Sequence, residues 1–193
     1  MARIPYPPLP PAPKKDGTTT TPRPPPPNVS RVLAHSTGTA THWGAVANAH
    51  FTALQLDAKL RELAILLTTA KLGSTYEHTH HSLISAKFGV SDAQRAWIGD
   101  KARLAEGGVL NSVQQGGKEQ EGLFTDKEKV LLVLVENVVE RKDVGEELWK
   151  SASGFFGERE LVEIVSLVGF YFTFSRITTV FEVELEGSSG SKL

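Results

Sequence analysis

Three histidines and a glutamate lie within five consecutive residues of this sequence, Glu77-His78-Thr79-His80-His81. An imidazole can accept or donate a proton near neutral pH, and a nearby carboxylate can orient it, so this pattern is typical of general acid–base chemistry. In a helix, side chains three, four and seven residues apart share a face. We therefore expect His80 to point away from a polar face that carries Ser74, Glu77, His78 and His81.

A second carboxylate, Glu62, lies on the preceding apolar segment. If that segment is a helix, its neighbours on the same face are Ile65, Leu66 and Thr69, so Glu62 occupies a position where burial is expected. A turn at Gly73 would join the two segments as a helical hairpin. The sequence therefore predicts that Glu62 approaches His81.

Each of these side chains also has a structural interpretation. Glu62 could pair with Lys59, Glu77 could complete a capping box with Ser74, and the histidines could be hydrogen-bonded groups of a core or an interface. A metal site is a further alternative, because imidazoles and one carboxylate suit zinc or iron(II). The HExxH order is absent and another ligand would have to come from elsewhere. We therefore expect no metal and no bound cofactor.

Helical periodicity predicts an all-α domain. Capping patterns begin at Ser74, Ser91 and Thr125. The helices expected from spacing and caps cover residues 29–35, 41–54, 57–72, 74–88, 91–105, 125–141, 145–153 and 158–184. The last of these is apolar nearly all round, which is expected of a central helix or of one covered by another subunit.

Proline and glycine mark the boundaries of this domain. All eleven prolines lie within the first 27 residues, which predicts a proline-rich arm over 1–27 and a helical domain over 28–186. Residues 105–124 contain five glycines and are expected to be a flexible connection, either a lid or a simple insertion. A Gly/Ser tail occupies 187–193.

The composition disfavours several function classes. Lys and Arg number 21 against 22 Asp and Glu, so the net charge is −1 and no basic field would attract nucleic acid or an anionic membrane. The longest strongly apolar stretch, 167–174, is far shorter than the roughly 20 residues of a spanning helix, and we expect no membrane anchor. The absence of cysteine excludes disulfides, thiolate catalysis and iron–sulfur clusters.

Motifs between residues 60 and 92 carry the most specific information. They are Leu60-Arg61-Glu62-Leu63-Ala64-Ile65-Leu66, then Gly73-Ser74 with Tyr76-Glu77 and His81, then Ala86 with Gly89-Val90-Ser91-Asp92. Together they resemble the carboxymuconolactone decarboxylase and alkylhydroperoxidase-D-like (AhpD-like) superfamily. Weaker matches extend the resemblance over nearly the whole chain, at Arg3-Ile4-Pro5, Glu160-Leu161-Val162-Glu163 and Val168-Gly169-Phe170-Tyr171.

In the peroxidase branch of that superfamily, a Cys-x-x-Cys pair precedes the histidine and a glutamate on the previous helix completes a proton relay. The resemblance places the glutamate at Glu62 and the histidine at His81, and the two cysteine positions fall on Ser74 and Glu77. Neither the nucleophilic thiol nor the resolving thiol exists in this chain, so it cannot be a thiol peroxidase. The cysteine-free branch, which includes the decarboxylase, is favoured.

The resemblance implies an AhpD-like helical subunit that forms an obligate homo-oligomer, a trimer or a hexamer. It also implies a cofactor-free carboxy-lyase for an unsaturated lactone, β-keto or polyketide-type carboxylic acid. His81 would be the general acid–base, assisted by Glu77 and Glu62, and the substrate would be bound by Ser74, His78 and Tyr76. The alternatives are a related proton-transfer enzyme (isomerase, hydratase or lactone-opening) and a non-catalytic oligomer that binds a small ligand.

The last three residues, Ser191-Lys192-Leu193, match the C-terminal address that the peroxisomal import receptor reads. The Gly/Ser residues before them would leave this tripeptide exposed. We therefore expect a peroxisomal protein. If the tripeptide is a cloning scar, the expected location is the cytoplasm.

Overall fold

The structure, a computed structural model, describes residues 2–8, 25–115 and 122–187. Within these residues it contains ten helices and no β-strand, which confirms the all-α prediction. The helices are α1 (Asn28–Leu33), α2 (Ala40–Thr52), α3 (Ala58–Lys71), α4 (Thr75–Lys87), α5 (Asp92–Ile98), α6 (Lys101–Leu104), α7 (Gly108–Gln115), α8 (Asp126–Glu140), α9 (Glu146–Phe155) and α10 (Glu158–Val180).

Side-chain caps set several of the helix starts. Asp57 accepts from the backbone N–H groups at the start of α3, and full capping boxes form at Ser91 and Thr125, as the sequence predicted. The single helix expected over 91–105 is two helices, because Asp100 caps a new start at α6. Gly73 turns the chain between α3 and α4 with φ +66°, a conformation that favours glycine.

The α3 helix lies at the centre of the domain. All of its residues from 60 to 69 are buried, and α4, α8 and α10 pack around it. The sequence predicted that the last helix is central or is covered by another subunit. In the single chain, α10 packs on α3 but retains an exposed apolar stripe, in which Val162 is 70% exposed and Val165 is 49% exposed. Within the described residues, α10 is the one helix long and apolar enough to cross a membrane, and it packs here as a core helix.

The prediction of a flexible connection over 105–124 is wrong for its first half, which contains α7. The backbone N–H groups of Val109 and Leu110 donate to the Glu136 carboxylate at 2.9 and 2.8 Å. Gly108 is a packing requirement, because a Cβ there would lie 2.0 Å from the Ala102 carbonyl oxygen. A carboxylate on α8 and close backbone packing therefore order a segment whose glycines suggested flexibility. Residues 116–121 lie outside the described residues.

The described N-terminal segment, residues 2–8, contacts the chain just after the end of α10. The chain leaves the helix after Val180, earlier than the predicted residue 184, and Arg3 then donates its N–H to the Phe181 carbonyl at 2.9 Å. The Arg3 guanidinium also pairs with Glu182 at 2.7 Å. Residues 2–8 therefore lie along the domain. The rest of the predicted arm that falls at 9–24, and the tail at 188–193, lie outside the described residues.

Candidate functional site

Glu62 and His81 form a buried hydrogen-bonded pair between α3 and α4. His81 Nδ1 lies 2.8 Å from Glu62 Oε2, and these residues are 4% and 0% exposed. This confirms the predicted approach through the Gly73 turn. A carboxylate can only accept, so His81 donates from Nδ1, and Nε2 is the ring atom left for proton exchange. The alternative partner, Lys59, pairs instead with Glu128 at 2.6 Å.

Arg61 completes this pair from the other side. Its Nε and Nη2 atoms donate to Glu62 Oε1 at 3.1 and 3.0 Å, so each oxygen of Glu62 accepts from a different residue. The guanidinium carbon lies 4.5 Å from the centre of the Phe51 ring and 4.8 Å from that of Phe88. Arg61 is therefore buried between two aromatic rings with its charge directed at Glu62.

Glu77 has a different environment on α4. Ser74 accepts from the Glu77 backbone N–H at 3.3 Å, but the reciprocal bond of a capping box is not formed. The carboxyl is 6% exposed, and its Oε1 atom has no hydrogen-bond partner. Burial, with a smaller contribution from the negative charge of Glu186, raises the pKa of Glu77 to about 7. Glu77 can therefore hold a proton near neutral pH.

Aromatic rings enclose the His81 imidazole. The Tyr171 ring of α10 lies edge-on to it with 4.9 Å between ring centres, and the Phe51 ring of α2 lies nearly parallel to it at 6.1 Å. Burial raises the pKa of Tyr171, with further contributions from the charges of Glu77 and Glu62. The phenol therefore stays protonated near neutral pH.

Ser74 and His78 lie at a neighbouring cavity of about 220 Å³. Ser74 Oγ contacts Thr178 Oγ1 at 2.9 Å, and His78 Nδ1 lies 3.4 Å from Thr69 Oγ1. The pKa of His78 is lowered by burial, with a smaller contribution from His81. Besides Ser74 and His78, the cavity is lined by Thr69, Ala70, Gly73, Thr75, Thr79, Gly99 and Leu104. It is therefore rich in hydroxyl groups and has no charged carboxylate in its wall.

Tyr76 lies apart from both groups. Its hydroxyl donates to Glu186 Oε1 at 2.5 Å, and its ring contacts that of His80 with 4.6 Å between centres. His80 Nε2 in turn lies 2.8 Å from Glu186 Oε2. Burial alone would raise the pKa of Glu186, but the hydrogen bonds from Tyr76 and the Asn28 N–H lower it overall. The C-terminal segment is therefore tied to α4 through Tyr76 and His80.

The structure thus divides the predicted site residues into three groups. Glu62 and His81 lie at the aromatic rings, with Glu77 buried one turn before His81 on α4. Ser74 and His78 line the cavity, and Tyr76 binds the C-terminal segment. Within the described residues, no three His, Asp or Glu side chains are grouped as metal ligands. Sequence reasoning missed Arg61, Phe51 and Tyr171. A signal existed only for Arg61, a second charged residue in an otherwise apolar stretch of α3.

No family model matches this sequence, and no curated protein matches it. The fold, however, matches solved structures. One is an AhpD-like antioxidant defence protein of unknown function from Agrobacterium tumefaciens, with a TM-score of 0.61, 20% identity, 79% of this chain covered and 94% of that chain. Another is the debrominase Bmp8, solved in its apo form and, with one cysteine replaced by alanine, in complex with 2,3,4-tribromopyrrole. Its TM-score is 0.62 at 13% identity, covering 83% of this chain and 78% of that chain. The chain therefore has the same all-α, AhpD-like fold as these structures.

Proposed function

We propose that this protein is a cofactor-independent carboxy-lyase of the cysteine-free branch of the AhpD-like fold. The observation that carries the proposal is the buried His81–Glu62 hydrogen bond, 2.8 Å long, on the same helix face as Glu77, whose pKa is about 7. Glu62 accepts hydrogen bonds, whereas Glu77 retains a proton. Two carboxyl groups whose environments differ in this way are typical of an acid and a base that work together.

The expected substrate is an unsaturated lactone, β-keto or polyketide-type carboxylic acid. The bond to the carboxylate breaks, carbon dioxide leaves, and the electron pair moves into the conjugated carbonyl as an enolate. A proton from Glu77 or His81 then adds to the carbon that carried the carboxylate. A proton from solvent then returns that side chain to its starting state. The Tyr171 hydroxyl and the Arg61 guanidinium would stabilise the negative charge on the enolate oxygen. General acid–base catalysis by Glu77 or His81 would raise the rate by roughly 10²–10⁴-fold.

Ser74 and His78 would bind the remote part of the substrate in the cavity of about 220 Å³. The Tyr76 hydroxyl is already engaged by Glu186, so we assign Tyr76 to holding α4 in place for the substrate. The debrominase Bmp8 shows that this fold can support enzyme chemistry on a small unsaturated ring. Cysteine-dependent chemistry is unavailable to the present chain, because it has no cysteine.

The test is carbon dioxide release from a panel of β-keto and vinylogous acids incubated with the purified protein. His81→Ala and Glu62→Gln should reduce release by at least about 100-fold, because they remove the acid–base group or its partner. His80→Ala is the matched control, since it changes a half-exposed histidine on the same helix and should retain activity.

The alternatives give distinct results in the same experiment. Exchange of substrate protons with solvent, without carbon dioxide release, would indicate an isomerase, hydratase or lactone-opening enzyme. Retention of an acid with no turnover would indicate a ligand-binding oligomer. Loss of activity in His80→Ala with full activity in His81→Ala would contradict the site assignment.

We also propose that the protein is a homo-oligomer, a trimer or a hexamer. The exposed apolar stripe of α10, with Val162 and Val165, supports this because an isolated subunit would leave it in water. Light scattering at micromolar concentration checks it. A mass near 21 kDa, that of one chain, would refute it.

The peroxisomal location stays a prediction, and residues 191–193 lie outside the described residues. A fluorescent protein fused to the N-terminus should give a punctate peroxisomal signal, and deletion of Leu193 should make it cytosolic. A diffuse signal from the intact fusion would mean that the tripeptide does not act as an address.

A further inference from the structure

The α2 helix covers the His81 site while burying little of itself. His50 is the one buried residue among its 13. Trp43 and Ala47 are only partly buried against the core, and the Trp43 ring lies 5.5 Å from that of Phe170 and 5.8 Å from that of Phe174. By contrast, α3 is buried from 60 to 69. A helix with so few buried side chains opens at a lower free-energy cost than the core beneath it.

Phe51, at the last turn of α2, is placed between solvent and the site. It is 40% exposed on one side, and on the other it covers the Arg61 guanidinium at 4.5 Å and the His81 ring at 6.1 Å. Glu62 is fully buried and His81 is 4% exposed. A ligand cannot reach the imidazole in this arrangement, so something must move to admit it.

His50 destabilises the packed position of α2. Its ring lies edge-on to Phe170 at 4.8 Å, but its buried Nδ1 atom has no hydrogen-bond partner. A buried polar atom without a partner costs free energy, and opening of α2 would return it to water. Burial lowers the pKa of His50, and the charge of Arg61 lowers it further, so the group stays neutral while closed. The closed position of α2 therefore carries a cost that opening relieves.

We propose that Phe51 is the gate and specificity residue of the His81 site, and that the C-terminal half of α2 swings outward to admit the ligand. Movement of Phe51 uncovers the Arg61 guanidinium and the face of the His81 imidazole. One is a cation and the other a flat π surface, so together they select a planar, conjugated carboxylate. This choice of ligand rests on the proposed carboxy-lyase function, whereas the gate itself does not.

The gate can be tested without a substrate, by chemical modification of histidine. Diethyl pyrocarbonate reacts with accessible imidazoles, and mass spectrometry of peptides gives the rate at each histidine. In the wild type, His81 should react far more slowly than His42, which is exposed on α2. Phe51→Ala should speed the reaction of His81 by about tenfold, because it removes the ring contacts that hold the gate closed.

Val46→Ala is the matched control, because Val46 lies on the same helix and is 41% exposed, against 40% for Phe51. It should leave the rate at His81 unchanged. Phe51→Trp, which keeps an aromatic ring over the site, should also leave the modification rate of His81 as low as in the wild type. A His81 rate that matches His42 in the wild type, or that does not rise in Phe51→Ala, would overturn the proposal.

Hydrogen exchange provides a second measurement that does not depend on histidine reactivity. Amides in the C-terminal half of α2 should exchange at least about 100-fold faster than those of α3. Phe51→Ala should raise the exchange rate in α2 further and leave the exchange rate in α3 unchanged. Equal protection of α2 and α3 would refute the gate. If the gate behaves as expected and no acid is decarboxylated, the proposed function fails alone.

Discussion

Glu77→Gln should change the pH dependence of stability. The folded protein holds a proton on Glu77 up to a pKa of about 7, because burial disfavours the charged form, whereas the unfolded chain releases it near the ordinary value of 4.5. Stability supported by the protonated form is fully present below pH 4.5 and is lost as the pH rises toward 7. The wild type should therefore lose stability over this window, and the neutral glutamine should not.

The size of the effect follows from the two pKa values. A pKa that is higher by about 2.5 in the folded state corresponds to about 3 kcal/mol once both states are ionised, of which about 2.5 kcal/mol falls between pH 5 and pH 8. The carboxyl is 6% exposed, so solvent screening reduces this only slightly. Relative to the wild type, Glu77→Gln should therefore be stabilised by about that amount on going from pH 5 to pH 8.

The assay is urea unfolding of both proteins at pH 5 and pH 8, read as the difference between their free energies of unfolding at each pH. Comparing the difference at the two pH values cancels any packing change caused by the amide. Glu147→Gln, at an exposed glutamate of α9, is the control and should leave the pH dependence close to that of the wild type. A difference between Glu77→Gln and wild type that is the same at both pH values would refute a protonated Glu77 and remove it as the acid.

Three further substitutions probe the framework around the site by urea or thermal unfolding. Ser74→Ala should cost about 0.5–2 kcal/mol through the lost helix cap, and a loss of activity beyond that would show that it also contacts substrate. Lys71→Met should cost about 3–5 kcal/mol, because it leaves the carboxylates of Glu136 and Glu140, now 2.6 and 2.5 Å from the ammonium, without their buried cation. A cost below about 1 kcal/mol would show that water or another cation replaces it. Arg3→Ala removes an exposed pair and should cost no more than about 1 kcal/mol, so a larger loss would mean that the N-terminal arm is part of the core.

The positions of the proposed acid–base residues were predictable from the sequence, because they depend on local periodicity. The apolar spacing of 57–72 places Glu62 on a buried face, Gly73 allows the left-handed turn, and helical spacing directs His81 back toward α3. The all-α class followed from the same periodicity and from caps such as Ser91 and Thr125, whose partners lie three residues along the chain.

The properties of those residues, in contrast, depend on groups far away in the chain. The sequence cannot show that the Oε1 atom of Glu77 lacks a hydrogen-bond partner, or that the charge of Glu186, more than 100 residues later, helps to raise the pKa of Glu77. It suggested flexibility at Gly108, where packing against α6 and capping by Glu136 produce a helix instead. Local spacing thus determined which face each side chain occupies. Only the tertiary structure decided its charge state and access, because desolvation and enclosure come from elements distant in sequence.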